Sequence, residues 1–146
     1  MRDVLEINYP NGHMKIYLKG SFPKNKVLFN KFIKFTKILS IQERQKVFET
    51  LKVYFQNEID NDEKTFNNIG KVYFHYKDLY AETKHQVENH KYNNGVYIQD
   101  SDLKEMKINL KLYQNIFQSY EKEGKRYKSK IDNFKYYLKV VKSNVL

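Results

Sequence analysis

Residues 103–145, LKEMKINLKLYQNIFQSYEKEGKRYKSKIDNFKYYLKVVKSNV, decide the fold. Leu103, Met106, Leu110, Tyr113, Phe117, Tyr120, Gly124, Tyr127, Ile131, Phe134, Leu138, Val141 and Val145 recur at steps of three and four without a slip. Only Gly124 interrupts the apolar character. Alternating threes and fours average about 3.5 residues, the period of a helix that keeps one narrow face toward a partner helix. Ahead of this run, Asp100-Ser101-Asp102 offers N-cap chemistry, and Asn93-Asn94-Gly95 breaks the chain.

The upstream stretch carries a matching seam: Phe66, Ile69, Tyr73, Tyr76, Tyr80, Thr83, Val87 and His90. Folding the chain back at Asn94-Gly95 makes antiparallel pairs whose residue numbers all add to 193. His90 then meets Leu103, Tyr80 meets Tyr113, Tyr76 meets Phe117, Ile69 meets Gly124 and Phe66 meets Tyr127. The phase continues to Ile59 with Phe134, Phe55 with Leu138 and Phe48 with Val145, across polar interruptions at Asp62 and Lys52. This predicts one long helix from about Ile41 to Tyr92, straight or bent near Asp60 to Asp62. Its start is marked by Ser40-Ile41-Gln42-Glu43, a capping box. A glycine inside a helix costs roughly 1 kcal/mol relative to alanine. Gly124, opposite Ile69 and next to Gly70, therefore predicts close approach of the two backbones or a local bend.

Working outward to the N-terminus, Leu5, Ile7 and Tyr9 alternate with Glu6 and Asn8, and Met14, Ile16 and Leu18 alternate with Lys15 and Tyr17. Between them, Pro10-Asn11-Gly12 is turn chemistry, with proline setting φ and glycine accepting a positive one, so residues 4–19 read as a β-hairpin. Such a hairpin is marginal in water unless a helix covers its apolar face. The cover is an amphipathic helix over 24–39, with Leu28, Phe32, Phe35 and Leu39 at helical spacing, widened by Phe29, Ile33 and Ile38. The fold class that follows is mainly α: a hairpin and helical head formed by residues 1–60 and 128–146, with a long antiparallel coiled-coil arm over 61–127 and its tip at 93–100. The arm would reach roughly 40 Å at about 1.5 Å per residue.

The chain of 146 residues holds no cysteine, which excludes disulfides, thiol catalysis and Cys-based zinc sites and suits the cytoplasm. There is no apolar run of about 18 residues to span a membrane, and residues 1–8 carry Asp3 and Glu6 where a signal peptide would be apolar. His13, His75, His85 and His90 stand at no metal-ligand spacing, and Glu58, Asp60, Asp62 and Glu63 are followed by residues that break a calcium-loop pattern. No glycine-rich phosphate loop and no nucleophile elbow occur. The expectation is a protein that is not an enzyme and needs no cofactor and no metal.

Charge carries the functional signal. The net charge is +10, and residues 1–39 and 122–146 each hold eight basic residues against two acidic, leaving the middle near neutral. The candidate polyanion-binding residues are Lys24, Lys26, Lys31, Lys34 and Lys37 in the first helix and Lys125, Arg126, Lys128, Lys135, Lys139 and Lys142 in the last. Such a surface attracts RNA, DNA or an acidic protein patch. Only three of the 27 basic residues are arginines, which favours phosphate attraction over base reading. The competing reading is a solvated surface enriched in lysine by A/T-rich codons. At the tip, Tyr92, Tyr97 and Ile98 have nothing obvious to cover them and are candidate partner-binding anchors. Oligomerisation through the coiled coil is a further expectation.

The opening Ile7-Asn8-Tyr9-Pro10-Asn11-Gly12 hairpin followed by a lysine-rich helix resembles small proteins of phages and conjugative elements of AT-rich, low-G+C bacteria. Some of these are anti-defence inhibitors, including anti-CRISPRs. The resemblance covers about the first 60 residues and carries over no functional residue. It implies a small inhibitor or accessory factor docking on a nucleoprotein machine, and the basic head departs from the acidic DNA mimicry that many such inhibitors use. The other class left open is a structural or adaptor coiled-coil protein with no nucleic-acid role.

Overall fold

A computed structural model describes residues 4–19 and 22–144. The chain runs β1 (Val4–Tyr9), β2 (Gly12–Tyr17), α1 (Lys26–Thr36), α2 (Ile41–Asn89) and α3 (Asp100–Ser143). It is mainly helical, with an N-terminal antiparallel hairpin and two long helices that pack against each other. Two compact units share α2 and α3: one comprises Met1–Asn61 and Ile131–Leu146, the other Asp62–Lys130.

In the first unit, β1 and β2 pair in the register Leu5↔Ile16 and Ile7↔Met14. The pleat turns Leu5 and Ile7 inward together. The turn differs from expectation in one respect: Gly12 does not take a positive φ, since among the described glycines only Gly95 does. Instead Tyr9, its cross-strand partner, folds over it, and a Cβ at Gly12 would lie 2.6 Å from the Tyr9 hydroxyl oxygen, so a larger residue there would have to displace that ring.

Helix α1 begins two residues later than predicted, because the Asn25 side chain accepts from the Leu28 N–H at 2.9 Å and caps it. Its buried face is Phe29, Ile33 and Thr36. Leu28 and Ile38, expected in the core, are exposed. The Thr36 hydroxyl bonds the Ile33 carbonyl at 2.6 Å, so it is buried without an unmet donor.

The capping box at the start of α2 is only half made. Ser40 Oγ accepts from the Glu43 N–H at 3.2 Å. The Glu43 carboxylate instead accepts from the Asn8 N–H at 2.8 Å, which ties the hairpin to the start of α2. From there Val47, Phe48, Leu51, Tyr54, Phe55 and Ile59 enter one core with Tyr137, Leu138 and Val141 of α3. Leu51 is buried and Lys52, which keeps the seam's phase, is exposed. Where the hairpin and α1 add packing surfaces, the buried face is wider than one seam and no longer follows it. The expected pairing of Phe48 with Val145 falls outside the described residues.

In the second unit the predicted register reappears in ring geometry. Phe117, placed opposite Tyr76 by the constant sum, touches the rings one turn to either side, Tyr73 at 6.1 Å and Tyr80 at 5.3 Å between centroids. Asp62, only 6% exposed, is one of the polar interruptions. Its Oδ1 takes Lys130 Nζ at 3.5 Å, and Oδ2 has no hydrogen-bond partner among the described residues. Helix α2 runs unbroken through 60–62.

Gly124 faces Ile69 as predicted, but the backbones are not forced together there. A Cβ on Gly124 would meet Ile69 Cγ2 at 3.7 Å, ordinary van der Waals contact, and one on Gly70 would meet nothing within 4 Å. Gly124→Ala should therefore raise the unfolding free energy by about 0.5–1 kcal/mol through helix propensity, read as a higher urea midpoint at unchanged slope. A destabilised Gly124→Ala would show that the helices approach more closely than these distances.

Candidate nucleic-acid interface

The first unit holds fourteen basic and seven acidic residues, the second thirteen and ten. In the first unit, inward Phe29 and Ile33 leave Lys24, Lys26, Lys31, Lys34 and Lys37 exposed. Lys24 lies before the helix rather than in it. On α3, Tyr137, Leu138 and Val141 are buried, which turns Lys135, Lys139 and Lys142 to solvent. These three, with Leu138 and Ser143, line a single shallow depression of about 420 Å³. Lys142 also lies in the last turn of α3, where a cation is favoured by the helix dipole.

One contact brings the two basic segments together. Lys26 Nζ of α1 sits over the Tyr136 ring of α3, 4.6 Å from its centroid. Tyr136 lies in the stretch of α3 that carries Lys135, Lys139 and Lys142, so α1's first lysine reaches that stretch. Beneath them Phe29 meets Tyr137 with centroids 4.7 Å apart, which fixes the two helices at that point. None of Lys24, Lys26, Lys31, Lys34, Lys37, Lys139 and Lys142 forms an ion pair with a described residue. Tyr136 was not a sequence candidate. Its proximity to a lysine on α1 has no local signature.

The remaining predicted basic residues fall elsewhere. Lys125, Arg126 and Lys128 belong to the second unit, so Lys128 is not part of the basic first unit as expected. Lys125 pairs with Glu121 at 3.5 Å and Arg126 with Glu123 at 2.9 Å. The Glu123 hydrogen bond and charge push the Arg126 guanidinium further above its usual value. Both cations thus have intrahelical carboxylates.

The tip anchors are also redistributed. α2 ends at Asn89, and His90 takes the left-handed conformation at φ 55°, so it leaves the seam expected of it and lies exposed against Tyr97. Ile98, predicted to meet a partner, is 0% exposed, and its N–H donates to the His90 carbonyl at 2.9 Å. It fills the inside of the turn. Tyr92 is half-buried, its N–H on the Val96 carbonyl at 2.9 Å. Tyr97 is 62% exposed and remains available. Ile98→Ser should cost about 2–4 kcal/mol by removing buried apolar volume and adding a hydroxyl, while Tyr97→Ser should change the melting temperature little. Equal melting temperatures for the two variants would put Ile98 back on the surface.

Among the described residues, no group of three or more His, Asp or Glu side chains is placed to hold a metal ion. No helix among them is long and apolar enough to cross a membrane. No protein-family model matches the chain, and no curated protein or solved structure is similar to it.

Proposed function

We propose that the protein is a non-enzymatic binding protein that holds the phosphate backbone of RNA or DNA on the lysine face of its first unit. The observation that carries this reading is Lys26 over Tyr136, which joins the α1 lysines to the row Lys135, Lys139 and Lys142. Exposed lysines on adjoining helices, of which those of α1 with Lys139 and Lys142 form no ion pair with a described residue, neutralise phosphates along a strand and release condensed counterions. Lysine in place of arginine suits backbone contact without base reading. The resemblance of the opening segment to anti-defence proteins of mobile elements adds the target. In this reading the protein is an inhibitor or accessory factor that docks on a nucleoprotein machine.

The test is fluorescence anisotropy with a labelled RNA and a labelled DNA duplex across a salt series. With three to four phosphates neutralised, affinity should fall roughly 40- to 150-fold between about 50 and 200 mM salt. Binding should be indifferent to sequence. No detectable binding at about 50 mM salt would overturn the nucleic-acid reading. It would leave the second reading, a structural or adaptor protein, which Ile108 and Leu112 favour, because both are exposed one turn apart on α3.

A further inference from the structure

Within the second unit, a groove of about 300 Å³ opens between α2 and α3. Gly70 and Gly124 line it together with Phe66, Ile69, Tyr73, Phe74 and Tyr120. Neither glycine is required by the packing of the helix pair, since each has room for a Cβ, and neither takes a positive φ. Helix propensity works against both, so their effect on the structure is the groove itself: any larger side chain at either position would occupy it. Phe74, among these lining residues, is 60% exposed. An open depression walled by carbon, with an exposed phenylalanine on it, is surface that gains by being covered.

The charge around the groove says what would cover it. Lys77 Nζ lies over the ring of Tyr73, 5.4 Å from its centroid, and Lys125 and Lys128 line the α3 side. Glu121 is the one carboxylate among the lining residues, and Lys125 holds it at 3.5 Å. A second copy of this chain would bring lysines against lysines, in a molecule whose net charge is already +10. A nucleobase would turn its polar edge onto carbon walls and lose hydrogen bonds to water. A hydrocarbon side chain on an acidic backbone segment has neither penalty. The geometry points to a docking groove for a partner protein, which inserts one leucine or phenylalanine from an acidic stretch. The groove uses no residue of the first unit's lysine face, and the two proposals stand or fall separately.

The experiment titrates isotope-labelled full-length protein with three synthetic peptides, followed by amide chemical shifts. The first carries a central phenylalanine flanked by glutamates, the second the same phenylalanine flanked by lysines, and the third alanine in its place between glutamates. The first peptide should shift the amides of Gly70, Phe74 and Gly124 and bind at least ten-fold more tightly than either other. Gly124→Leu, which puts a large side chain among the lining residues, should weaken it at least ten-fold. Should that variant not fold, the double charge reversal Lys77→Glu with Lys128→Glu serves instead, and should transfer preference to the lysine-flanked peptide. Four results would overturn the proposal: no groove shifts with the first peptide at millimolar concentration, equal binding of the lysine-flanked peptide, oligonucleotide shifts confined to these amides, or sedimentation showing a dimer that Gly124→Leu abolishes.

Discussion

Phe55→Ala is expected to lower the unfolding free energy by about 3–5 kcal/mol. Phe55 is 0% exposed, and its ring meets Phe29 at 5.9 Å, Phe134 at 5.9 Å, Tyr137 at 5.6 Å and Tyr54 at 5.4 Å between centroids. It therefore joins α1, α2 and α3 within the first unit. Truncation loses the transfer free energy of the ring and leaves a cavity that four rings cannot close without losing contact with each other. Edge-to-face and tilted pairs add about 0.5–1.5 kcal/mol each beyond buried area. Domains of this size hold only about 5–15 kcal/mol in total, so much of the stability goes with one side chain. Urea unfolding followed by circular dichroism measures it, with Phe74→Ala as the comparison, since that ring is mostly in water and should cost within about 0.5 kcal/mol. A Phe55→Ala cost below about 1 kcal/mol would mean that the aromatic cluster is not the centre of this unit's core.

The helix pair was legible in the sequence because its periodicity is long and unbroken. A two-helix seam buries one narrow stripe per helix, so spacing alone gives both the register and the turn, and Ile69 opposite Gly124 follows from counting. Apart from the close approach expected at Gly124, the errors lie where more than two elements meet or where no period exists. At 28 and 29 two adjacent apolar residues compete for the inside, and only the position of α2 and α3 behind α1 selects Phe29. At 51 and 52 the same competition is settled by the added packing surfaces, so Leu51 goes in and Lys52 out of phase. Ile98 sits in a turn held by backbone hydrogen bonds, and a turn has no repeat from which burial can be read. The candidate site divides likewise. The number of lysines and their concentration toward the two ends of the chain are sequence properties. Which lysines adjoin is tertiary, and Lys26 over Tyr136 spans 110 positions of the chain.

Replacing Lys135, Lys139 and Lys142 together by glutamate should reduce nucleic-acid affinity by more than roughly 500-fold at about 0.1 M salt. The figure follows from counterion release, in which each neutralised phosphate contributes about 0.9 to the slope of log affinity against log salt. At about 0.1 M that is about 0.9 decade per contact, and three contacts give roughly 500-fold before any repulsion. Reversal also sets three carboxylates against the strand, so the loss should exceed that of substitution by glutamine. The salt slope itself should flatten by about 2.7, a change that a merely misfolded fraction would not produce, because fewer active molecules shift the curve without altering its slope. Part of any effect at Lys142 is structural, since a cation in the last turn of α3 stabilises the helix by about 0.3–1 kcal/mol. Helicity and melting temperature of Lys142→Gln alone isolate that share. Reversing Lys104, Lys107 and Lys111, which are exposed on α3 but belong to the second unit, is the matched control and should cost less than roughly ten-fold, the long-range part of the electrostatic attraction. Equal losses from the two triplets would mean that total charge, and not the lysine row beside Tyr136, does the binding.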